Sequence, residues 1–112
     1  MSGHEVHDTT SYYGQVVERW PAGPVELVRY ATGEVRLRCV TTTWGSTVVV
    51  AALDISKHEV SWPDGDPPTV SPSILVHGDD TGNRVHLHGF VRAGVWEPCG
   101  DDRSVPLPEA AS

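Results

Sequence analysis

The feature that most constrains the fold of this chain is a series of short valine-rich runs. They alternate apolar and polar residues, and turn-forming residues interrupt them roughly every ten positions. Seventeen of its 112 residues are valine, against one phenylalanine and one methionine. Because the branched Cβ of valine restricts χ1 and packs well on a pleated surface, valine favours strands. No segment keeps apolar residues at helical spacing over about ten positions. The sequence therefore predicts an all-β fold, either an antiparallel β-sandwich or a small partly open β-barrel with about seven or eight short strands.

The chain length corresponds to one domain, since domains typically have about 100–150 residues. Eight strands are predicted within it: Tyr13–Trp20, Val25–Ala31, Val35–Thr43, Thr47–Ile55, Lys57–Trp62, Ser73–His77, Arg84–Ala93 and Val95–Cys99. Residues 1–10 form a polar segment that we expect to be flexible, and residues 100–112 form an acidic, proline-containing tail that we expect to be frayed. A single β domain would then occupy residues 11–99.

The best-defined unit is the meander over residues 25–55. A two-residue turn at positions 32 and 33 would pair Arg29 with Arg36. That register predicts one buried face, made of Val28, Tyr30, Val35, Leu37 and Cys39. The strand Thr47–Ile55 is apolar on both faces, so it is predicted to lie in the interior of a sheet.

The same register brings Arg29, Arg36 and Arg38 to the opposite face of one hairpin. Directly opposed like charges destabilise a strand pair by up to ~1 kcal/mol, so an opposite charge is expected nearby. One interpretation is an intramolecular ladder of ion pairs with a carboxylate such as Glu18 or Asp54. The other is an anionic partner, either the acidic surface of a protein or a phosphate group.

Four tryptophans fall at the ends of predicted strands or in turns: Trp20, Trp44, Trp62 and Trp96. Tryptophan at such positions either closes the end of a core or anchors an interface. Trp44 in a turn and Trp62 beside the proline-rich loop 63–68 are the pair that we expect to form a binding edge.

His86 and His88 are two residues apart on a predicted strand, so both imidazoles project from one face about 6.6 Å apart. If the preceding hairpin brings His77 opposite that strand, three imidazoles share the face. With a nearby carboxylate they would form an open site for zinc, copper or iron. The alternative is an ordinary solvated face, on which the flanking arginines at positions 84 and 92 would repel a metal ion.

The charge balance argues against some partners. Fifteen acidic and eight basic residues give a net charge of −7, which repels phosphate and anionic lipid. No apolar run is long enough to cross a bilayer, and the first residues lack the features of a secretion signal. We therefore expect a cytoplasmic protein. The residue usage is typical of GC-rich genomes such as those of actinobacteria and their phages, so the alternative is a virion component encoded by a phage.

Cys39 and Cys99 are expected to be buried apolar residues or a disulfide.

No catalytic motif is recognisable, such as a nucleophile elbow or a phosphate-binding loop. The first hypothesis is therefore a non-enzymatic protein-binding or assembly module that contacts a partner or itself through the arginine-bearing face and the tryptophan-bearing edges. The alternative is a small metal-dependent β-barrel enzyme that uses His77, His86 and His88. A third hypothesis is a barrel whose apolar interior holds a small-molecule ligand.

Overall fold

The computed structural model describes residues 5–77 and 86–108. Within these ranges the chain forms nine strands and a single turn of 3₁₀ helix at Thr10–Tyr13, with no α-helix. The strands are β1 (Glu5–Asp8), β2 (Val16–Ala22), β3 (Val25–Tyr30), β4 (Val35–Trp44), β5 (Thr47–Asp54), β6 (Glu59–Ser61), β7 (Thr69–Val76), β8 (Leu87–Arg92) and β9 (Val95–Pro98). The predicted all-β fold class is confirmed.

The strands form two sheets, in the orders β1-β5-β4-β3-β2 and β6-β7-β8-β9. All pairs are antiparallel except β1 with β5, which run parallel. Strand β5 lies between β1 and β4, in the interior of its sheet, as its two apolar faces predict. The architecture is an all-β sandwich or partial barrel, and its one parallel pair departs from the purely antiparallel pattern that we expected.

Buried residues from both sheets meet in one apolar cluster: Ala22, Val25, Leu27, Leu37, Cys39, Val40, Val50, Ile55, Trp62, Val70, Ile74, Leu87, Val91 and Trp96. Branched aliphatic residues dominate this list, because they fill the space between two pleated surfaces without needing hydrogen-bond partners. Cys39 and Cys99 are both free thiols, and Cys39 belongs to the cluster. Burial raises the pKa of the Cys39 thiol to about 12.

The predicted register of the β3–β4 hairpin is wrong by one residue. Arg29 lies opposite Val35, and Leu27 lies opposite Leu37. The loop between the strands has three residues rather than two, because Tyr30 still pairs with Glu34 through a backbone hydrogen bond. A three-residue loop that ends in a left-handed glycine, here Gly33 with φ of 93°, is a common alternative to the two-residue turn.

This shift of one residue exchanges the two faces of β3. Val25 and Leu27 now face the second sheet together with Leu37 and Cys39, whereas Val28 and Tyr30 lie on the outer face of the first sheet. Both outer residues are nevertheless buried. The predicted five-residue face is therefore divided between two sides of the sheet, and something must cover the outer side.

The cover is the segment of residues 9–15, which crosses the outer face from β1 at one edge of the sheet to β2 at the other. The Thr9 amide donates to the Val50 carbonyl at 3.0 Å, and the Tyr30 hydroxyl donates to the Thr10 carbonyl at 2.6 Å. We call residues 9–15 the crossover segment. The expectation of a flexible segment over residues 1–10 is thus wrong for residues 5–10, because β5 supplies strand partners and the outer face supplies buried contacts; residues 1–4 lie outside the described ranges.

Residues 100–108 also make specific contacts instead of fraying. The Asp102 carboxylate accepts hydrogen bonds from the His88 amide at 2.8 Å and from Trp96 Nε1 at 3.3 Å, and Leu107 packs against the core. The Arg103 amide donates to the His86 carbonyl at 2.6 Å. The acidic segment holds its position because Asp102 satisfies otherwise unpaired donors, which the composition of the segment did not reveal; residues 109–112 lie outside the described ranges.

Candidate functional site

The arginines that the sequence suggested as a binding face are paired within the chain. Arg38 lies on the outer face of the first sheet with only 11% of its side chain exposed. Its guanidinium contacts Asp8 at 2.6 Å and Glu26 at 3.1 Å, and Nε donates to the Thr10 hydroxyl at 2.8 Å. Arg19 also contacts Glu26, at 3.3 Å. The group is a partly buried ion network that ties the N-terminal strand to the middle of the sheet.

Two opposing effects act on the titration of this network. Burial alone would raise the pKa of Asp8, but hydrogen bonds from Arg38 and Thr10 outweigh it and hold the pKa below its usual value. Burial alone would lower the pKa of Arg38, but its hydrogen bond and charge interaction with Asp8 raise it. Both shifts keep the pair ionised at neutral pH, which is the condition for a partly buried ion pair to hold two segments together.

Arg36 and Arg29 make intramolecular contacts on opposite faces of the sheet. Arg36 contacts Glu34 at 2.9 Å and lies 3.6 Å above the ring of Tyr13, in the crossover segment. Arg29 contacts Glu18 at 3.0 Å and lies 4.4 Å above the ring of Trp62. The predicted common face of Arg29, Arg36 and Arg38 is therefore wrong, because the corrected register directs Arg29 to the other side. The intramolecular interpretation describes the observed contacts, with Glu18 as the partner of Arg29 only, because Arg36 and Arg38 contact other carboxylates.

The tryptophans do not form the predicted exposed pair. Trp62 is 7% exposed and lies in the core, so its place on a binding edge is wrong. Trp96 is also buried, and Trp20 donates from Nε1 to the Gly94 carbonyl at 2.9 Å. Trp44, at the end of β4, is 53% exposed. Only Trp44 therefore remains available as a tryptophan anchor of the kind that the sequence suggested.

Trp44 belongs to a surface that the strand registers define. Trp44 pairs with Thr47, and Thr47 pairs with Glu5, so a single row crosses β4, β5 and β1. The Glu5 amide donates to the Ser46 carbonyl at 2.7 Å, which fixes β1 against the tip of the β4–β5 hairpin. We call the exposed residues around this end of β1 and β4 the Trp44 surface: Glu5, Val6, His7, Tyr12 and Trp44. Side chains alternate along β1, so Glu5 and His7 lie on the same side of the sheet as Trp44, whereas Val6 lies on the other side.

Exposed aromatic and aliphatic side chains also lie along β1 and the 3₁₀ turn. Tyr12 is 65% exposed and Val6 is 41% exposed, and the rings of His7 and Tyr12 meet edge to face at 6.1 Å. Sequence reasoning missed Val6, His7 and Tyr12 because it treated the first ten residues as flexible. The available signal was the cluster of apolar and aromatic residues at positions 6, 12 and 13, which is unusual for an unfolded segment.

The three histidines of the proposed metal site lie near the ends of β7 and β8. The rings of His77 and His86 have centroids 5.2 Å apart and planes 19° apart. Nδ1 of His88 lies 2.7 Å from an oxygen of Asp101, which the sequence analysis did not single out. That hydrogen bond lowers the pKa of Asp101, because it outweighs the smaller opposite effect of partial desolvation. Arg84 lies outside the described residues, whereas Arg92 contacts Glu97 at 3.4 Å and stacks on Phe90.

Within residues 5–77 and 86–108, no three His, Cys, Asp or Glu side chains are close enough together to hold one metal ion. The same residues include no helix that is both long and apolar enough to cross a membrane.

Two shallow grooves flank the turn between β2 and β3: an apolar one of about 260 Å³ beside Val95 and Trp96, and one of about 370 Å³ beside Arg19 and Leu107. No family model, no curated protein and no solved structure matches the chain.

Proposed function

We propose that this protein is a non-enzymatic protein-binding or assembly module whose contact region is the Trp44 surface. The observation that carries the proposal is the 53% exposure of Trp44 at the end of a paired strand, next to a turn. Tryptophan is strongly enriched among the residues that dominate binding energy, and a strand end positions it at little entropic cost. The partner is a second protein or a second copy of this chain.

The edge strand β1 adds a second reason for choosing this surface. An edge strand offers backbone groups to an incoming strand, but proline and short length weaken that ability. Among the four edge strands of the described residues, β2 contains Pro21, β9 ends at Pro98 and β6 has three residues. Strand β1 lacks proline and carries the exposed Val6. A partner strand that pairs with β1 would lie beside His7 and Tyr12, and the partner would have to extend across β1 and β5 to cover Trp44.

The arginine face contributes little to such binding. Arg36 and Arg38 already contact carboxylates within the chain, and their side chains are 15% and 11% exposed. A partner would have to displace these internal contacts before it could use either guanidinium, and displacing Arg38 would cost Asp8 and Glu26 their ion pairs with it. The proposed contact is therefore mainly apolar and aromatic, and we expect it to depend only weakly on salt.

The contribution of Trp44 can be estimated from its exposure. A tryptophan buries up to about 250 Å² in a full contact, so its exposed half corresponds to roughly 100–130 Å². At ~25 cal/mol per Å², complete burial in an interface stabilises the complex by about 2.5–3 kcal/mol. Replacement of Trp44 by alanine should therefore weaken binding by roughly 70- to 160-fold.

Site-specific photocrosslinking in the native host tests the proposal. A photoreactive residue at Ser46, beside the intact Trp44, should yield a discrete adduct whose mass identifies a partner protein or a second copy of the chain. The same probe at Asp64, an exposed position in the loop 63–68, is the matched control and should yield no such adduct. Trp44→Ala should abolish the adduct at Ser46. Equal adducts from Ser46 and Asp64, or an adduct that persists in Trp44→Ala, would refute the proposal.

A further inference from the structure

A pair of histidines lies at the ends of the strands that lead into and out of residues 78–85. Val76 and Leu87 are Cα partners, so His77 and His86 lie opposite each other one position beyond the ends of β7 and β8. Side chains at directly opposite positions of an antiparallel pair have Cβ atoms about 4.5–5.5 Å apart. The two rings are accordingly neighbours, with 5.2 Å between their centroids.

This separation matches that of two imidazoles bound to one metal ion. Zn–N bonds of about 2.0–2.1 Å in tetrahedral geometry put the centroids of two bound imidazoles roughly 5 Å apart. The rings are stacked with their planes 19° apart, so their in-plane nitrogen lone pairs run nearly side by side. Chelation requires both rings to turn toward each other, which the broad χ2 range of histidine permits. The backbone already brings the two rings to a chelating separation.

One nitrogen of the pair lacks a hydrogen-bond partner. Nε2 of His86 is buried and contacts no donor or acceptor among the described residues. Buried polar atoms are almost always paired, so an unpaired imidazole nitrogen calls for an explanation, and a bound ion is one of the recognised explanations. The Arg103 amide, which donates to the His86 carbonyl at 2.6 Å, holds this residue in place.

We propose that His77 and His86 together chelate one divalent transition-metal ion of the imidazole-binding class, such as Zn²⁺ or Ni²⁺. Neutral imidazole is a preferred ligand for these ions. Nδ1 of His88 already contacts Asp101, and no third ligand of the described residues completes a cluster. The site is therefore a two-imidazole chelate whose other coordination positions are open to water. It is separate from the Trp44 surface, so neither proposal depends on the other.

Calorimetric titration and urea unfolding of the tag-free protein test the site, with Zn²⁺ and Ni²⁺ in separate experiments and Mg²⁺ as the oxygen-preferring control. We expect one Zn²⁺ or Ni²⁺ per chain and no Mg²⁺. Because the ion would bind the folded state, a 100-fold excess of free metal over the Kd should lower the unfolding equilibrium constant about 100-fold. The proposal would be overturned if Zn²⁺ and Ni²⁺ gave no heat of binding and left the unfolding midpoint unchanged. A stoichiometry of half an ion per chain would also overturn it, because that value indicates an ion bridging two molecules.

Single substitutions test the assignment. His77→Gln and His86→Gln should each weaken metal binding at least 10-fold, since each removes one of two ligands, whereas His88→Gln and His58→Gln should leave the Kd within twofold. Calorimetry on variants whose circular dichroism is unchanged separates loss of the ligand from loss of the fold. Equal losses in His86→Gln and His88→Gln would overturn the assignment of a two-residue site.

Discussion

The close approach of Gly94 to Trp20 offers a sharp test of how the two sheets are held together. Gly94 is the second residue of the two-residue turn between β8 and β9, with φ of 80°. Its amide donates to the Pro68 carbonyl at 2.8 Å, and its carbonyl accepts from Nε1 of Trp20 at 2.9 Å. A Cβ atom at this position would lie 2.7 Å from Cε2 and 2.8 Å from Cζ2 of the Trp20 ring. The ring cannot retreat without lengthening that hydrogen bond.

The cost of Gly94→Ala follows from three contributions. A left-handed backbone costs an alanine about 1–2 kcal/mol. Overpacking of a well-filled contact adds about 1–3 kcal/mol, and a weakened hydrogen bond adds about 1 kcal/mol. We therefore expect Gly94→Ala to lower the free energy of unfolding by about 3–6 kcal/mol, which is a large part of the stability of a small domain.

Gly65→Ala is a matched control, because Gly65 has φ of 81° but nothing within 4 Å of the position of a Cβ. Its substitution should cost only the backbone contribution of about 1–2 kcal/mol. Urea unfolding followed by tryptophan fluorescence gives both values, provided that the m-values stay equal. In a Trp20→Leu background the extra cost at Gly94 should shrink. Equal destabilisation by the two alanine substitutions in the native background would refute the reasoning.

Three further predictions concern other parts of the fold. Ala93, at φ of 48°, precedes Gly94 in a turn that favours asparagine, so Ala93→Asn should raise the free energy of unfolding by about 0.5–1 kcal/mol in the same urea assay. The folded-state pKa of Asp8 lies below its ordinary value of 3.8. The stabilisation that the ionised Asp8 carboxylate adds to the folded state is therefore complete above pH 3.8 and is lost as the pH falls through the folded-state pKa. Asp8→Asn should remove this part of the acid dependence of the free energy of unfolding. A thiol reagent should modify Cys99 in the folded protein and Cys39 only after unfolding, since Cys39 is fully buried with a pKa of about 12, and rapid labelling of both would contradict the core position of Cys39.

The sequence predicted the strands well because their signals are local. Alternation, valine content and turn residues lie within about ten positions of one another, and each predicted strand has a counterpart in β2–β9. The interior position of β5 followed from its apolar faces in the same way. Of the site residues, the imidazole pair His77 and His86 could be anticipated, since strand pairing fixes which side chains are neighbours once the hairpin is identified.

Composition and alternation by themselves thus determined the all-β class and the approximate position of most strands, because those properties depend on neighbouring residues. The tertiary structure decided which face each arginine occupies and which tryptophan meets solvent. The face of Arg29 depended on a single extra loop residue, and the partners of Arg38 came from Asp8, thirty positions earlier in the chain. Contacts of that kind depend on how one segment crosses another, and no short stretch of sequence carries that information.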